Sequence, residues 1–229
     1  MKNETQILES AMARRSFLRY TGAGLASAGV LALGACHKDN PVTNTGIDIG
    51  IGDIGILNYA YALEQLEAAF YIQVAATPYT GITATESARL TDIRDHEVAH
   101  REFFKAALGT GNINVGSLTP DFSSVNFSDR TSVLTTAKAF EDLGVQAYNG
   151  AGYLIQSSTY LTLAGKIVSV EARHASYIRD LLTAGTFGDT TILDANGMDT
   201  AMTIAQVMPV ANKFLKTKVN ASNYGYVSA

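Results

Sequence analysis

The chain has 229 residues, of which 47% are hydrophobic and 17% charged, and its formal net charge is −4 at pH 7. This length and apolar content suffice for one domain with a buried core. Cys36 is the single cysteine, which excludes intrachain disulfides, thiolate metal clusters and rubredoxin-type iron sites. No basic cluster follows residue 35, which argues against binding to a nucleic-acid backbone.

The first 35 residues have the features of an export signal. The arginine pair Arg14-Arg15 resembles the start of a twin-arginine signal. The apolar run that follows is built from small residues and is shorter than the roughly 20 residues that span a bilayer. It ends in LGAC, residues 33–36, which resembles a lipobox. We therefore expect residues 1–35 to be a signal peptide and Cys36 to be lipidated, which would make the protein an envelope lipoprotein on the periplasmic side or at the outer membrane.

Removal of the signal peptide changes the charge balance. Residues 36–229 contain 13 basic and 19 acidic residues, a net charge of −6. Residues 36–53 are polar, contain glycine and show no periodicity. We expect them to form a flexible tether between the lipid and the domain.

Beyond the tether, apolar residues recur at helical spacing, and no stretch shows sustained alternation with a period of two. The predicted fold is therefore all-α. Pro78 interrupts the first helix, Gly109 ends the second, and Ser128 is the predicted N-cap of the third. The four predicted helices are 54–77, 83–108, 128–148 and 158–183.

The links between these helices predict their arrangement. Two links are short, whereas the middle one has roughly 18 residues and, at about 3.3 Å per residue, can run the length of a bundle. Residues 54–184 are therefore predicted to form a four-helix bundle with one long crossover. Residues 185–229 should pack on it as an extension. Within this extension, a short amphipathic element is expected to cover one end of the bundle with Met202, Val207, Met208 and Phe214.

Two of the helices carry the same Glu-x-x-His pattern. Glu97 and His100 stand in DHEVAHREFF, and Glu171 and His174 stand in SVEARHASYI. Residues three apart project from one helix face, one turn from each other. Two such pairs among four histidines would arise by chance in roughly one shuffled chain in a hundred, so the pattern indicates a motif.

The other two helices repeat a Glu-Tyr pattern. Glu64 precedes Tyr71 by seven residues, and Glu141 precedes Tyr148 by the same step. Seven residues return to nearly the same helix face. Folding the first hairpin brings Glu64 level with Glu97, roughly 20 Å from the turn at 1.5 Å per residue. The second hairpin levels its own pair in the same way.

Four glutamates and two histidines are thus expected at one level of the core. Four ionised carboxylates there would each lose several kcal/mol of hydration without a partner. Two divalent cations would balance their charge, and neutral imidazoles would complete the ligand set. Oxygen and nitrogen ligands without sulfur suit iron or manganese. The expected cofactors are two iron or manganese ions.

The segments LEQLEAAFY, DHEVAHREFF, FEDLGVQAYNGAG and VEARHASYIRDLL resemble the ferritin-like superfamily. They are close to the bacterial ferritin-like domain group that includes desiccation-related proteins. The resemblance covers about residues 54–184. It implies Glu64 and His100 as terminal ligands of one metal, Glu141 and His174 as those of the other, and Glu97 and Glu171 as bridges. It also implies Tyr71 and Tyr148 as hydrogen-bond donors to the carboxylates, and hence as candidate catalytic residues.

Some assignments have alternatives. Glu67 lies one turn from Glu64 and is a rival ligand, and Asp142 rivals Glu141. His96 is interpreted as a surface residue or as a neighbour of the ligands. Tyr71 and Tyr148 can also be interpreted as ordinary core aromatics, and the whole site as a degenerate one that no longer binds metal.

The expected function is that of an oxidoreductase acting on dioxygen, peroxide or ferrous iron at a dinuclear centre. A twin-arginine route carries folded proteins, so the metal could be loaded before export. The alternative is a non-enzymatic envelope lipoprotein of the stress or desiccation type with a vestigial site. An iron-storage cage is a third idea, although a lipid tether on every subunit would hinder a closed shell. The sequence is compatible with an oligomer.

Overall fold

A computed structural model describes residues 46–112 and 114–228. The predicted signal peptide, lipobox and Cys36 lie outside these residues. Two strands of two residues each are present, β1 (Ile47–Asp48) and β2 (Val219–Asn220). The α-helices are α1 (Gly52–Ala76), α2 (Ala84–Asn112), α3 (Arg130–Ala151), α4 (Ser158–Leu182) and α5 (Ile204–Ala211).

The long helices form two hairpins. The two most extensive helix contacts are those of α1 with α2 and of α3 with α4. The first hairpin turns at residues 77–83, and the second turns through a short 3-10 helix, Gly152–Leu154. The link between the hairpins is the longest connection among α1–α4. The prediction of an all-α bundle with one crossover is therefore confirmed.

Side chains near the helix starts fix where the helices begin. A capping box opens α2, in which the Thr83 amide donates to the Glu86 carboxylate at 3.0 Å and the Glu86 amide donates to Thr83 Oγ1 at 3.1 Å. The N-cap of α3 is Asp129, one residue beyond the predicted Ser128. Its carboxylate accepts a hydrogen bond from the Ser132 amide at 2.7 Å, and its negative charge suits a helix N-terminus better than a hydroxyl does.

The second predicted helix end falls at an interruption. Gly109 has φ 60° and ψ 175°, which breaks the helical path, and helical residues continue beyond it to Asn112. The backbone at this position lies in a region that favours glycine. The predicted end at Gly109 is thus a kink within α2.

The described part of the predicted tether is folded. Ile47 pairs with Val219 and Asp48 with Asn220 in a parallel ladder. Ile49 is fully buried, and α1 begins at Gly52. The predicted tether extends to residue 53, whereas residues 47–53 are folded, because they pair with a distant segment and begin the first helix. The alternation of Ile47, Ile49 and Ile51 with Asp48 and Gly50 is a short strand-like signal that the tether prediction missed.

The C-terminal segment packs along α3. Met202 donates its amide hydrogen to the Gln146 carbonyl at 3.0 Å, and the rings of Phe214 and Phe140 lie 4.7 Å apart. Val207 and Met208 are fully buried. The segment therefore packs against the side of α3 and not only over one end of the bundle.

None of the helices in the described ranges is both long and apolar enough to cross a membrane.

Candidate metal centre

All four long helices contribute to one cluster in the middle of the bundle. Its four carboxylates come one from each helix and are fully buried: Glu64, Glu97, Glu141 and Glu171. Two imidazoles complete it. The His174 side chain is 6% exposed, and the His100 side chain is 13% exposed. The structure thus brings together the six residues that the sequence singled out.

The cluster divides into two groups of donor atoms, each within 4.8 Å of one another. One group contains Glu64 and His100, the other contains Glu141 and His174, and Glu97 and Glu171 belong to both. Each group therefore has one carboxylate and one imidazole of its own. The two shared carboxylates lie where bridging ligands are required.

The imidazoles face the carboxylates through Nδ1. His100 Nδ1 lies 2.9 Å from Glu171 Oε1 and 3.5 Å from Glu64 Oε2. His174 Nδ1 lies 2.8 Å from Glu97 Oε1 and 3.5 Å from Glu141 Oε2. Each shared carboxylate thus places one oxygen near an imidazole of the opposite hairpin.

Despite these short distances, the carboxylate oxygens and imidazole nitrogens that could bind a metal do not form hydrogen bonds with one another. Among the described residues, eight buried atoms of the cluster have no partner of acceptable geometry. They are Glu64 Oε2, both oxygens of Glu97, His100 Nδ1, Glu141 Oε2, both oxygens of Glu171 and His174 Nδ1. Native proteins rarely bury so many polar groups unsatisfied. The set fits two cations, since each group would supply three oxygens and one nitrogen.

The other oxygens of the two unshared carboxylates are bound by tyrosines. Tyr71 Oη of α1 donates a hydrogen bond to Glu141 Oε1 of α3 at 2.6 Å. Tyr148 Oη of α3 donates to Glu64 Oε1 of α1. Each tyrosine therefore orients the carboxylate of the facing helix and leaves its second oxygen directed into the cluster.

Comparison with known protein families agrees with this geometry. The sequence model of the family described as "Ferritin-like domain" matches residues 52–184. The chain belongs to the ferritin-like domain family. The match spans all four helices of the ferritin-like bundle and every residue of the cluster. No curated protein matches the sequence significantly, so the narrower resemblance to desiccation-related proteins stays a prediction.

When the ferritin-like bundle contains no cation, bound protons neutralise part of the negative charge of the buried carboxylates. Burial raises the pKa of Glu64 to about 7, although the nearby His100 opposes this. Burial also disfavours the His100 cation, but the surrounding carboxylates, first that of Glu171, raise its pKa to about 12. For Glu97, burial is outweighed by His100 and His174, which lower its pKa to about 2. When no metal is bound, the protonated imidazoles therefore supply positive charge next to the carboxylates.

The rival ligands lie outside both groups. Asp142 accepts a hydrogen bond from Arg179 at 2.6 Å and has no donor atom in either group. Glu67 is 4% exposed and is likewise in neither group. One of its oxygens lies 3.0 Å from the point that a Cβ of Gly144 would occupy. The absence of a side chain at Gly144 thus makes the room into which this fifth acid fits.

His96 is the residue whose place the sequence left most open. Its Nδ1 lies 2.9 Å from Nε2 of His174, so it contacts a residue of the cluster. Burial lowers the pKa of His96, and the His174 imidazole lowers it further. The contact joins α2 to α4. The spacing of residues along one helix therefore gives no information about this contact.

Proposed function

We propose that this chain is an exported ferritin-like protein with a carboxylate-bridged dinuclear iron or manganese site, which acts as an oxidoreductase on dioxygen, peroxide or ferrous iron. The observation that carries the proposal is the set of eight buried donor atoms without hydrogen-bond partners. They divide into two groups of four that share two carboxylates. Such a set is unfavourable by itself and becomes favourable with two divalent cations.

The six residues of the cluster and the two tyrosines each have a defined role in this proposal. Glu64 and His100 would hold one ion and Glu141 and His174 the other, while the two shared carboxylates, described above, would hold both. Bound iron or manganese would supply redox chemistry and Lewis acidity. The tyrosines keep the unshared carboxylates in place through hydrogen bonds. Full burial of the carboxylates excludes bulk water and strengthens every charge interaction within the site.

An apolar cavity adjoins the site and bears on the substrate. Its lining includes Leu63, Phe104, Ala147 and Tyr148. Leu63 immediately precedes Glu64, and Tyr148 donates its hydrogen bond to that same carboxylate. Apolar walls with few polar groups favour small uncharged molecules. Among the proposed oxidants, the cavity therefore supports apolar dioxygen better than hydrogen peroxide, which would lose its hydrogen bonds to water there.

The test begins with metal content. The full chain, purified without chelator, should contain about two iron or manganese ions per chain by elemental analysis. The loaded protein should then consume dioxygen or peroxide, or oxidise ferrous iron, faster than a Glu97→Ala/Glu171→Ala double variant. A chain that binds no metal would refute the proposal and favour the scaffold function of a stress-related envelope lipoprotein.

The cellular location is a separate proposal. The arginine pair and the LGAC sequence support export and lipid attachment at Cys36. A Cys36→Ser variant should be released from membranes or remain as the uncleaved precursor. A variant of mature size that still partitions with membranes would contradict lipidation.

A further inference from the structure

The two imidazoles of the site differ in what their outer nitrogens meet. His174 Nδ1 faces the carboxylates, and its Nε2 lies 2.9 Å from Nδ1 of His96. The two rings are nearly parallel, at 13°, with centroids 5.1 Å apart. The contact is therefore an in-plane approach of one ring nitrogen to another, which suits a hydrogen bond.

The direction of this hydrogen bond follows from the task of His174. A nitrogen that binds a cation through its lone pair carries no proton, so the proton of a neutral imidazole sits on the other nitrogen. With Nδ1 directed into the site, His174 donates from Nε2. His96 must then accept at Nδ1 and carry its own proton on Nε2.

His100 has no equivalent partner. In the described part of the chain, no side chain forms a hydrogen bond with its Nε2. The internal repeat gives the reason. His96 immediately precedes Glu97, whereas the residue that immediately precedes Glu171 is Val170, which has no hydrogen-bonding side chain. The His100 side chain is also the more exposed, at 13% against 6% for His174.

We propose that His96 is a positioning residue that makes the two metal positions unequal, so that the ion at His174 is bound more tightly and released more slowly than the ion at His100. This inference rests on the proposed dinuclear site. A partner on the outer nitrogen fixes the ring and its tautomer and raises the basicity of the ligating nitrogen. His96 does this for one position only.

The test isolates each position before His96 is changed. His100→Ala retains the position at His174, and His174→Ala retains the position at His100. Adding His96→Ala should weaken Co²⁺ or Mn²⁺ binding by about 10- to 100-fold in the first background. In the second background it should change binding by less than about threefold, because the hydrogen-bond partner of the His96 ring is the His174 side chain that this background lacks. Circular dichroism checks that each variant is folded.

A conservative variant separates positioning from packing. The Oδ1 atom of asparagine can occupy nearly the place of His96 Nδ1 and accept the same hydrogen bond. His96→Asn should therefore restore most of the affinity that His96→Ala loses. Equal weakening in both backgrounds, or no weakening in either, would overturn the inference while leaving the dinuclear site intact.

A second measurement needs no metal. Nitrogen-15 NMR of the histidine rings in the full-length protein should show His96 with its proton on Nε2 and an acceptor at Nδ1. A proton on His96 Nδ1 would overturn the inference directly. Absence of metal binding in the unaltered chain would refute both the dinuclear site and the inequality of its positions.

Discussion

Two of the buried charged residues of helix α4, Arg179 and Glu171, have surroundings that differ in one respect. Arg179 is 1% exposed, and Glu171 is fully buried. The guanidinium of Arg179 donates hydrogen bonds to Asp142 at 2.6 Å and to Asp189 at 2.8 Å. Its remaining contacts are a hydroxyl and a main-chain carbonyl. Within residues 46–112 and 114–228, neither oxygen of Glu171 has a hydrogen-bond partner of acceptable geometry.

The difference distinguishes a buried charge that stabilises the fold through ion pairs within the protein from one that is suited to bind a cation. The Arg179 cluster contains its own counter-charges and joins α4 both to α3 and to the segment that follows α4. In the carboxylate cluster, six buried carboxylate oxygens have no hydrogen-bond partner among the residues that the structure describes, and only two imidazoles face them. Burial alone does not separate the two cases. The balance of donors and acceptors does, and the following predictions test it.

The largest expected effect concerns the shared carboxylates. Glu97→Ala or Glu171→Ala should weaken both metal positions by more than about 100-fold, since loss of a ligand costs more than loss of an outer partner. His100→Ala should remove only one of the two ions. Elemental analysis and calorimetric titration of the full chain measure both. Equal and mild losses from all three changes would contradict the assignment of the bridges.

The next effect is the pH dependence of stability without metal. His100 and His174 have folded pKa values of about 12 and about 10, against 6.5 when unfolded. Carboxylates outweigh the opposing effect of burial in both cases. The folded state therefore binds more protons above pH 6.5, and stability is lost as pH rises. For the two imidazoles together, the gain between pH 8 and pH 6 is up to about 4 kcal/mol.

Except for Glu97, the buried carboxyls of the cluster act in the same direction. Burial raises the pKa of Glu64 to about 7 from 4.5, so its contribution is also lost as pH rises. Glu97, with a pKa of about 2, contributes stability that is lost only below pH 4.5. Denaturant unfolding with chelator should show rising stability from pH 8 to pH 5. Metal-loaded protein should weaken over the same range, because protons compete for the ligands. Parallel trends would refute the buried cluster.

The third prediction concerns the Arg179 cluster, whose charges are paired within the protein. Arg179→Met should lower the free energy of unfolding by about 3 kcal/mol, because Asp189 loses its counter-charge and Asp142 keeps only Lys138, at 3.2 Å. The loss should be the same with and without metal, and two ions should still bind. The control is Arg173→Met on the same helix. Arg173 is exposed, so this change should cost less than about 0.5 kcal/mol. A loss of metal from Arg179→Met would show that the two clusters are coupled.

The sequence predicts most of the bundle and of the site because both depend on local spacing. Helical periodicity places Glu97 with His100, and Glu171 with His174, on single faces. The repeat of the pattern indicates that the faces meet. Within each hairpin, the two glutamates lie at similar distances from the turn, which brings the carboxylates to one level. None of these steps requires a contact that is distant in sequence beyond the pairing of neighbouring helices.

What the sequence did not predict depends on contacts between distant segments. The pairing of β1 with β2 joins residues 47–48 to residues 219–220, and two residues in each strand are too few for periodicity to identify the partner. Arg179 stands near a helix end, where an arginine is usually solvated. Its side chain is instead buried between Asp142 of α3 and Asp189 of the loop after α4. The contact of His96 with His174 likewise joins two helices, and periodicity within one helix gives no information about it.

The smallest expected effect concerns the two tyrosines and matches each of them to one metal position. Tyr148→Phe removes the hydrogen bond to Glu64, and Tyr71→Phe removes the hydrogen bond to Glu141. Each change should weaken its own position by about tenfold, since an outer partner fixes a ligating carboxylate. A tenfold change corresponds to about 1.4 kcal/mol.

Single-position variants again make the assignment testable. In the His174→Ala background, which retains the ion at Glu64, Tyr148→Phe should weaken binding and Tyr71→Phe should not. In the His100→Ala background, the roles of the two tyrosines should be exchanged. Tyr153→Phe is the matched control, because that side chain is half exposed. If both tyrosines affected both positions equally, each hydroxyl would be supporting the bundle as a whole, and the crossed pairing would have no bearing on the metals.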